Sequence, residues 1–266
     1  MSNATPTFKF GKNWRNYIEK IDPTRISAAK ISLCNMLGKT DLKDLRFLDA
    51  GCGSGLFSLS AIELEAEEVV SFDVDKDSTE CAHLLNNKYG PFRNWKILEG
   101  NALDVKWMTE LKEFDVVYSW GVLHHTGNMW QALENITIPV KKNGLLFISI
   151  YNNQGYQSKI WASIKSIYNK SSNPLKLIIA AAYHTIAVVN RTVSGILKAT
   201  PPGSWYKGSE RGMSLWNDSI DWVGGYPFET ASAQEILDFF YDRGFRSLNT
   251  KIKTGIGCNE FVFQKC

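Results

Sequence analysis

Between residues 45 and 150 the chain repeats one unit: a short run of branched and aromatic apolar residues, a turn, then a stretch of helical character. The strand-type runs are "RFLDA", "EVVSFD", "WKIL", "FDVVYS" and "GLLFISI"; the helical segments between them lie near residues 56–66, 78–89, 105–111 and 129–138. Strands this apolar have no face to show to water, and helices inserted after each strand cover both faces only when the strands run parallel. The pattern predicts an α/β fold on a doubly wound, mostly parallel sheet.

Two further runs, "SLNTKIK" and "NEFVFQK", follow the helical "SAQEILDFFYDRGF" and bring the sheet to seven strands. A short turn through Gly255 and Gly257 suits an antiparallel hairpin between them. Ahead of the sheet, "IDPTRISAAKISLCNMLG" offers Asp22 as N-cap, Pro23 as first helical residue and Gly38 as terminator. A shorter helix is expected over residues 13–21, and residues 1–7 read as a loose tail.

From residue 152 to 229 the alternation stops. Leu175, Ile178, Ile179, Ala182, Ile186, Val189, Val193 and Ile196 recur at i, i+3, i+4 spacing, which predicts one long amphipathic helix. Ile160, Ile164, Ile167 and Tyr168 predict a shorter one before it. The organisation expected is an N-terminal helical segment or lid (1–44), an α/β core (45–151), a largely helical cap inserted after the fifth strand (152–229), and the C-terminal part of the core (230–266).

The cysteines number five and never fall as C-x-x-C, which argues against a disulfide framework or a zinc knuckle and for a reducing, cytoplasmic compartment. "MSNATPTFKFGKNW" lacks the apolar centre of a secretory signal, and no stretch reads as the run of about 18 to 20 apolar residues that spans a membrane. Net charge is only +3, yet residues 135–209 contain no Asp or Glu while Lys141, Lys142, Lys159, Lys165, Lys170, Lys176, Arg191, Lys198 and Lys207 all fall there.

The chemistry concentrates in "FLDAGCGSGLF", where Gly51, Gly53 and Gly55 follow Asp49 at the end of the first strand. Bare backbone there lets a ligand approach closely. The second strand ends "SFDVD", and an acid at that position receives ribose hydroxyls in doubly wound folds, so Asp73 is the candidate, with Asp75 behind it. The spacing is G-x-G-x-G rather than the G-x-G-x-x-G of dinucleotide binders, and a carboxylate at Asp49 repels a pyrophosphate but suits a cation.

"LDAGCGSG" resembles the first motif of the class I S-adenosylmethionine-dependent methyltransferases. The resemblance continues through Asp73, through Asn101 and Ala102 in "EGNALD", and through "FDVVYSWGVLHH" as the family's fourth-strand motif. It implies a Rossmann-like methyltransferase fold, S-adenosylmethionine as cofactor, and cofactor contacts at Asp49, Gly51, Cys52, Gly53, Gly55, Asp73, Val74, Asn101, Ala102 and Ser119.

Residues after the fourth strand face the transferable methyl in that family, and here they read "SWGVLHH". They lack the Asp/Asn-Pro-Pro-aromatic sequence of nucleobase amine methyltransferases, the paired glutamates of protein arginine methyltransferases, and the clustered Asp and Asn oxygens that hold magnesium. What remains resembles metal-independent small-molecule enzymes of the ubiquinone-biosynthesis and sugar-tailoring kind, which implies O-methylation with His125 as general base and His124 second. Tyr151, after the fifth strand, is placed to orient an acceptor hydroxyl. The structural alternatives are a loop histidine pair capping the next helix and an ordinary sheet-edge tyrosine.

An insertion of this kind covers an acceptor site or builds a homodimer. Its basic face suits an anionic acceptor, an anionic membrane surface carrying a lipid-linked one, or RNA, although a pI of 8.5 argues against nucleic acid. The plainest reading is that its apolar stripe packs the cap onto the sheet and its lysines are a solvated face. Trp205, Trp216, Trp222 and Tyr226 suit an acceptor wall or the cap's own core, and Phe10, Trp14 and Tyr17 suit a lid or simple packing. The competing functions are an RNA methyltransferase using the basic cap and a cofactor-binding interaction module that transfers nothing.

Overall fold

Asp22 accepts the Arg25 amide at 2.9 Å and so starts helix α1 (Pro23–Leu37), which Gly38 ends in the left-handed conformation at φ +64°. The computed structural model describes residues 21–201 and 215–266, with Gly11, Trp14 and Ile18. Phe10, Tyr17, Trp205 and most of the helix expected over 13–21 lie outside the described residues.

The strands are β1 (Arg46–Ala50), β2 (Glu68–Asp73), β3 (Trp95–Glu99), β4 (Phe114–Trp120), β5 (Val140–Tyr151), β6 (Phe245–Lys251) and β7 (Cys258–Lys265). They form one seven-stranded sheet in the order β3-β2-β1-β4-β5-β7-β6. The first five pair in parallel, and β7 runs antiparallel to both β5 and β6. The chain winds outward from β1 through β2 and β3, then returns to β4 on the other side, so the switch point falls between β1 and β4. In open α/β sheets that crevice, at the carboxyl ends of the strands, is where ligands bind.

Helices α2 (Leu56–Glu63), α3 (Lys76–Tyr89), α4 (Val105–Glu110) and α5 (Met129–Asn135) connect the parallel strands. Further along come α6 (Tyr156–Lys170), α7 (Asn173–Leu197), α8 (Leu215–Gly224) and α9 (Ala233–Tyr241). One sheet face buries Leu48, Val117, Leu146, Ile148 and Phe261 against Met108, Leu133, Ile236 and Phe240 of α4, α5 and α9. On the other, Phe47 of β1 stacks on Tyr118 of β4, which meets Phe147 of β5 edge to face, with Phe57 of α2 against Tyr118.

Several boundaries differ from expectation. The helix expected to 138 ends at Asn135 and the sixth strand runs Phe245–Lys251. Two others differ for visible reasons. Helix α2 stops short of residue 66 because Glu65 turns left-handed at φ +64°. Strand β5 starts earlier, at Val140, since the exposed Lys141, Lys142 and Asn143 continue it without an apolar signal.

The chain divides into two compact units, one within Lys159–Phe228 and one comprising the sheet with its flanking helices. In the helical unit α8 packs on α7 around Tyr168, Ala180 and Val223, with Ile179, Tyr183, Trp216, Ile220 and Trp222 completing the cluster. Trp216 and Trp222 thus belong to the cap's own core. The fully buried Lys165 places its ammonium 4.2 Å over Trp222 and 4.8 Å over Phe228, and donates to the Trp222 carbonyl.

Helix α7 is buried at Ala180 and Gly195, while Leu175, Ile178, Ile186, Val189, Val193 and Ile196 of its stripe are between 44% and 63% exposed. By length and composition it is also apolar enough to cross a membrane, because polar residues interrupt its apolar run without offsetting it.

Candidate functional site

At the switch point Asp49 of β1 lies beside Tyr118 of β4, and the Ser119 hydroxyl donates to the Ala50 carbonyl at 2.9 Å. The two strand ends are thereby clasped, and the loops that leave them meet. A Cβ on Gly51, which sits at φ +78°, would stand 2.4 Å from Val122 Cγ1. Only glycine fits a backbone that is both left-handed and this close to its neighbour. The Gly51 and Cys52 amides both donate to the Phe72 carbonyl, at 2.8 and 3.0 Å, drawing the loop toward β2. Gly55 then opens α2.

Asp73 ends β2 and organises the same loop. Its Oδ2 accepts the Gly53 amide at 3.0 Å and its Oδ1 accepts the Asp75 amide at 2.9 Å. The oxygens of Asp75 are engaged elsewhere: one accepts the Asp77 amide at 3.1 Å to start α3, the other the Gly11 amide at 3.0 Å. The Trp14 ring stands 3.1 Å from where a Cβ on Gly53 would be, so Trp14 lies against the glycine loop.

Asp49 is 2% exposed and ends a buried chain of hydroxyls. Trp95 Nε1 lies 2.7 Å from Ser71 Oγ, the two serine oxygens lie 2.7 Å apart, and Ser58 Oγ lies 2.6 Å from Asp49 Oδ2. An ionised carboxylate can only accept, so Ser58 spends its one hydroxyl hydrogen on Asp49 and accepts from Ser71, which in turn accepts from the Trp95 indole. Burial lifts the Asp49 carboxyl to about 7, the charge of Asp73 adds to this, and the Ser58 hydrogen bond opposes it. Burial likewise lifts Asp73 to about 6 against the Asp75 and Gly53 amides, with the Asp75 charge adding to the rise. Burial, then Asp73 and Asp49, push the Cys52 thiol upward. Two carboxyl groups held this far from easy ionisation beside bare backbone form a seat that a cation would stabilise.

At the neighbouring strand end the Gly100 amide donates to the Asp73 carbonyl at 3.0 Å, which brings Asn101 and Ala102 near. Asn101 is exposed and folds its side chain back to accept the Leu103 amide at 2.9 Å. Ala102 is buried, and its carbonyl accepts from Asn135 at 2.8 Å. Val74 stands 75% exposed beside Asp73.

After β4, Leu123–His125 makes a single 3-10 turn. It gathers the three candidate catalytic side chains: the His124 ring lies 4.1 Å from Tyr151 and 4.5 Å from His125, with His125 5.5 Å from Tyr151. His124 is fully buried, whereas His125 is partly exposed.

Sequence reasoning missed several residues here. Ser58, Ser71 and Trp95 look like ordinary helix and strand residues until the register of β1, β2 and β3 aligns them. Glu229 donates its amide to the His124 carbonyl at 3.0 Å, and both its carboxylate oxygens accept the Met129 amide at 3.1 Å. It therefore holds the histidine turn and the N-terminus of α5 together; burial raises its carboxyl, opposed by the Met129 and Gly127 amides. Trp120, Ser149 and Glu260 form a row across β4, β5 and β7, with Trp120 Nε1 donating to Glu260 at 3.1 Å. The Ser149 hydroxyl, fully buried, has no hydrogen-bond partner among the described residues. No three His, Cys, Asp or Glu side chains gather into a metal-binding group among the described residues.

A family model described as "Methyltransferase domain" matches residues 41–216. A ubiquinone biosynthesis O-methyltransferase from Pelagibacter ubique is 28% identical over 127 residues, 48% of this chain and 50% of that protein. One from Rickettsia prowazekii is 31% identical over 114 residues, 42% of each. The chain thus matches about half the length of these curated relatives. Among solved structures, magnesium protoporphyrin IX methyltransferase from Synechocystis PCC 6803, with bound SAH, superposes with a TM-score of 0.54 at 13% identity, covering 96% of this chain and 94% of that one. At that identity the likeness is one of fold.

Proposed function

The chain belongs to the methyltransferase-domain family, and from that premise we propose that it uses S-adenosylmethionine to methylate a hydroxyl of a small molecule, without a metal ion. The observation that carries this reading is the position of the His124–His125–Tyr151 cluster. It follows β4, immediately across the switch point from the acid-lined glycine loop after β1.

The crevice suits that cofactor. Asp49 and Asp73 would sit beside its cationic groups and ribose hydroxyls, and the amides of the glycine loop can serve its carboxylate. Asn101, Ala102 and the exposed Val74, gathered near the end of β2, are the residues assigned here to its adenine ring, as the family resemblance implies. When bound, S-adenosylmethionine supplies an electrophilic methyl group on a sulfonium.

His125 takes the proton that the acceptor hydroxyl loses as its oxygen becomes the nucleophile, and Tyr151 orients that hydroxyl. Holding the acceptor at contact distance supplies much of the remaining acceleration. The O-methyltransferase names of the sequence relatives support oxygen as the atom methylated.

Calorimetric titration tests the cofactor, and methyl-labelled S-adenosylmethionine with a cell extract tests the acceptor. Tight binding with label in the small-molecule fraction is expected. No binding of S-adenosylmethionine or its demethylated product overturns the cofactor assignment, and label in RNA overturns the acceptor class. Asp73→Ala is expected to weaken the cofactor by about 1.5–3 kcal/mol, the scale of lost hydrogen bonds to a charged group.

A further inference from the structure

We propose that α7 lies flat on an anionic lipid surface, with its outward stripe sunk into the boundary between headgroups and acyl chains. The proposal does not depend on the methyl-transfer reading.

The stripe is surplus to folding. At about 100° per residue, Leu175, Ile178, Ile186, Val189, Val193 and Ile196 fall within an arc of roughly 80° along a helix about 37 Å long. Each is at least 44% exposed. The cluster that holds the helical unit together uses a different flank of α7, that of Ala180 and Tyr183, against α8. Helix α6 adds Ile160 and Ile167, 42% and 57% exposed, with Lys159 and Lys170 on the same exposed arc. An apolar face of this extent on a protein surface marks an interaction site.

Charge selects the occupant. No acidic residue occurs from 135 to 209, and the exposed Lys159, Lys170 and Lys198, with Lys176, lie along or at the ends of α6 and α7. The acids of the described helical unit, Asp218 and Asp221, belong to α8, which packs on the Ala180 flank. Two copies of so basic a face repel each other, whereas anionic headgroups attract it by about 1 kcal/mol for each basic residue near the surface.

Lying flat follows from the rest of the helix. A spanning α7 would carry His184, Asn190 and Arg191 into hydrocarbon and would give up the flank that α8 covers. An amphipathic helix with one apolar arc, a lysine near each end and no acid along it rests in the interface.

Density-gradient flotation of the full chain tests this with vesicles of phosphatidylcholine alone or mixed with phosphatidylglycerol. The protein is expected to float with the mixed vesicles, far less with phosphatidylcholine, and less again at high salt. Ile178→Ser with Ile186→Ser and Val193→Ser should reduce flotation at least about tenfold with an unchanged melting temperature, since exposed positions carry little folding energy. Lys159→Gln with Lys170→Gln and Lys198→Gln should remove the salt-sensitive part alone. The proposal is overturned by sedimentation with every vesicle, by equal flotation with both lipids, by serine variants that float like the parent, or by a dimer in light scattering that the serine changes split.

Discussion

Ser58 donates its hydroxyl hydrogen to Asp49 at 2.6 Å inside the protein, and Asp49 is the end of a one-way chain that begins at the Trp95 indole. The chain commits one carboxylate oxygen, Oδ2, to the interior. It also offsets part of the cost of burying that carboxylate. Ser58→Ala should therefore raise the Asp49 pKa further and weaken S-adenosylmethionine, most at low pH. Trp95→Phe should do so to a smaller degree, because Ser71 then has only its own donor to rearrange. Calorimetry from acid to neutral pH measures both; equal affinity to the parent at every pH would leave the chain a packing feature.

The raised carboxyls give a pH dependence of defined sign. Asp49 and Asp73, at about 7 and about 6, bind protons more tightly in the folded protein than in the unfolded chain, where the ordinary value is 3.8. Between those values the folded state holds more protons, so ligand-free stability falls as pH rises from about 4 to about 7. The cationic cofactor prefers both groups ionised, so its affinity should rise over the upper part of that window and level off above it. Proton release on binding, measured in buffers of differing ionisation enthalpy, checks the point; Asp49→Asn should remove part of both slopes. Asp75 and Cys52 are the other titratable neighbours of the pair.

Glu229 couples two backbones, the histidine turn proposed as the acceptor side of the site and the start of α5. Glu229→Ala removes the cap, expected to cost about 1 kcal/mol of stability. Turnover should fall roughly tenfold with cofactor affinity unchanged, because the proposed cofactor contacts lie on other loops. Glu229→Gln keeps one acceptor oxygen and should recover most of the turnover. Steady-state kinetics beside cofactor titration separates this from general unfolding, in which both quantities would fall.

The parts of this protein legible in the sequence are those written in local pattern. Asp22, Pro23 and Gly38 bound a helix within one segment, and the apolar runs name each parallel strand before any pairing is known. The glycine loop declares itself because no other residue tolerates its backbone. Glu229 gives no such sign: it reaches Met129 across a separation of 100 residues, and its role exists only once the sheet is assembled. The stripe of α7 fails in another way, since i, i+3, i+4 spacing describes a helix with one apolar face and says nothing about what that face meets.

The two adjacent histidines should separate by experiment. His125, partly exposed, is expected to lose about 10² in turnover on replacement by Ala while the protein keeps its melting temperature. His124, fully buried against Tyr151, should lose stability first when truncated, because a cavity opens beneath the turn. Activity retained at every pH in His125→Ala would make it a structural residue.

The buried Ser149 hydroxyl sits between Trp120 and Glu260 on neighbouring strands, yet it makes no hydrogen bond among the described residues. An unsatisfied buried hydroxyl is a cost that a methyl group does not carry. Ser149→Ala should therefore stabilise the protein by about 1 kcal/mol, seen as a higher denaturant midpoint with an unchanged slope. Ser149→Val, which adds volume to a closed strand row, should reverse the gain. If Ala instead destabilises, the hydroxyl has a partner in solution, and the polar row of Trp120, Ser149 and Glu260 is satisfied as a unit rather than held open at its centre.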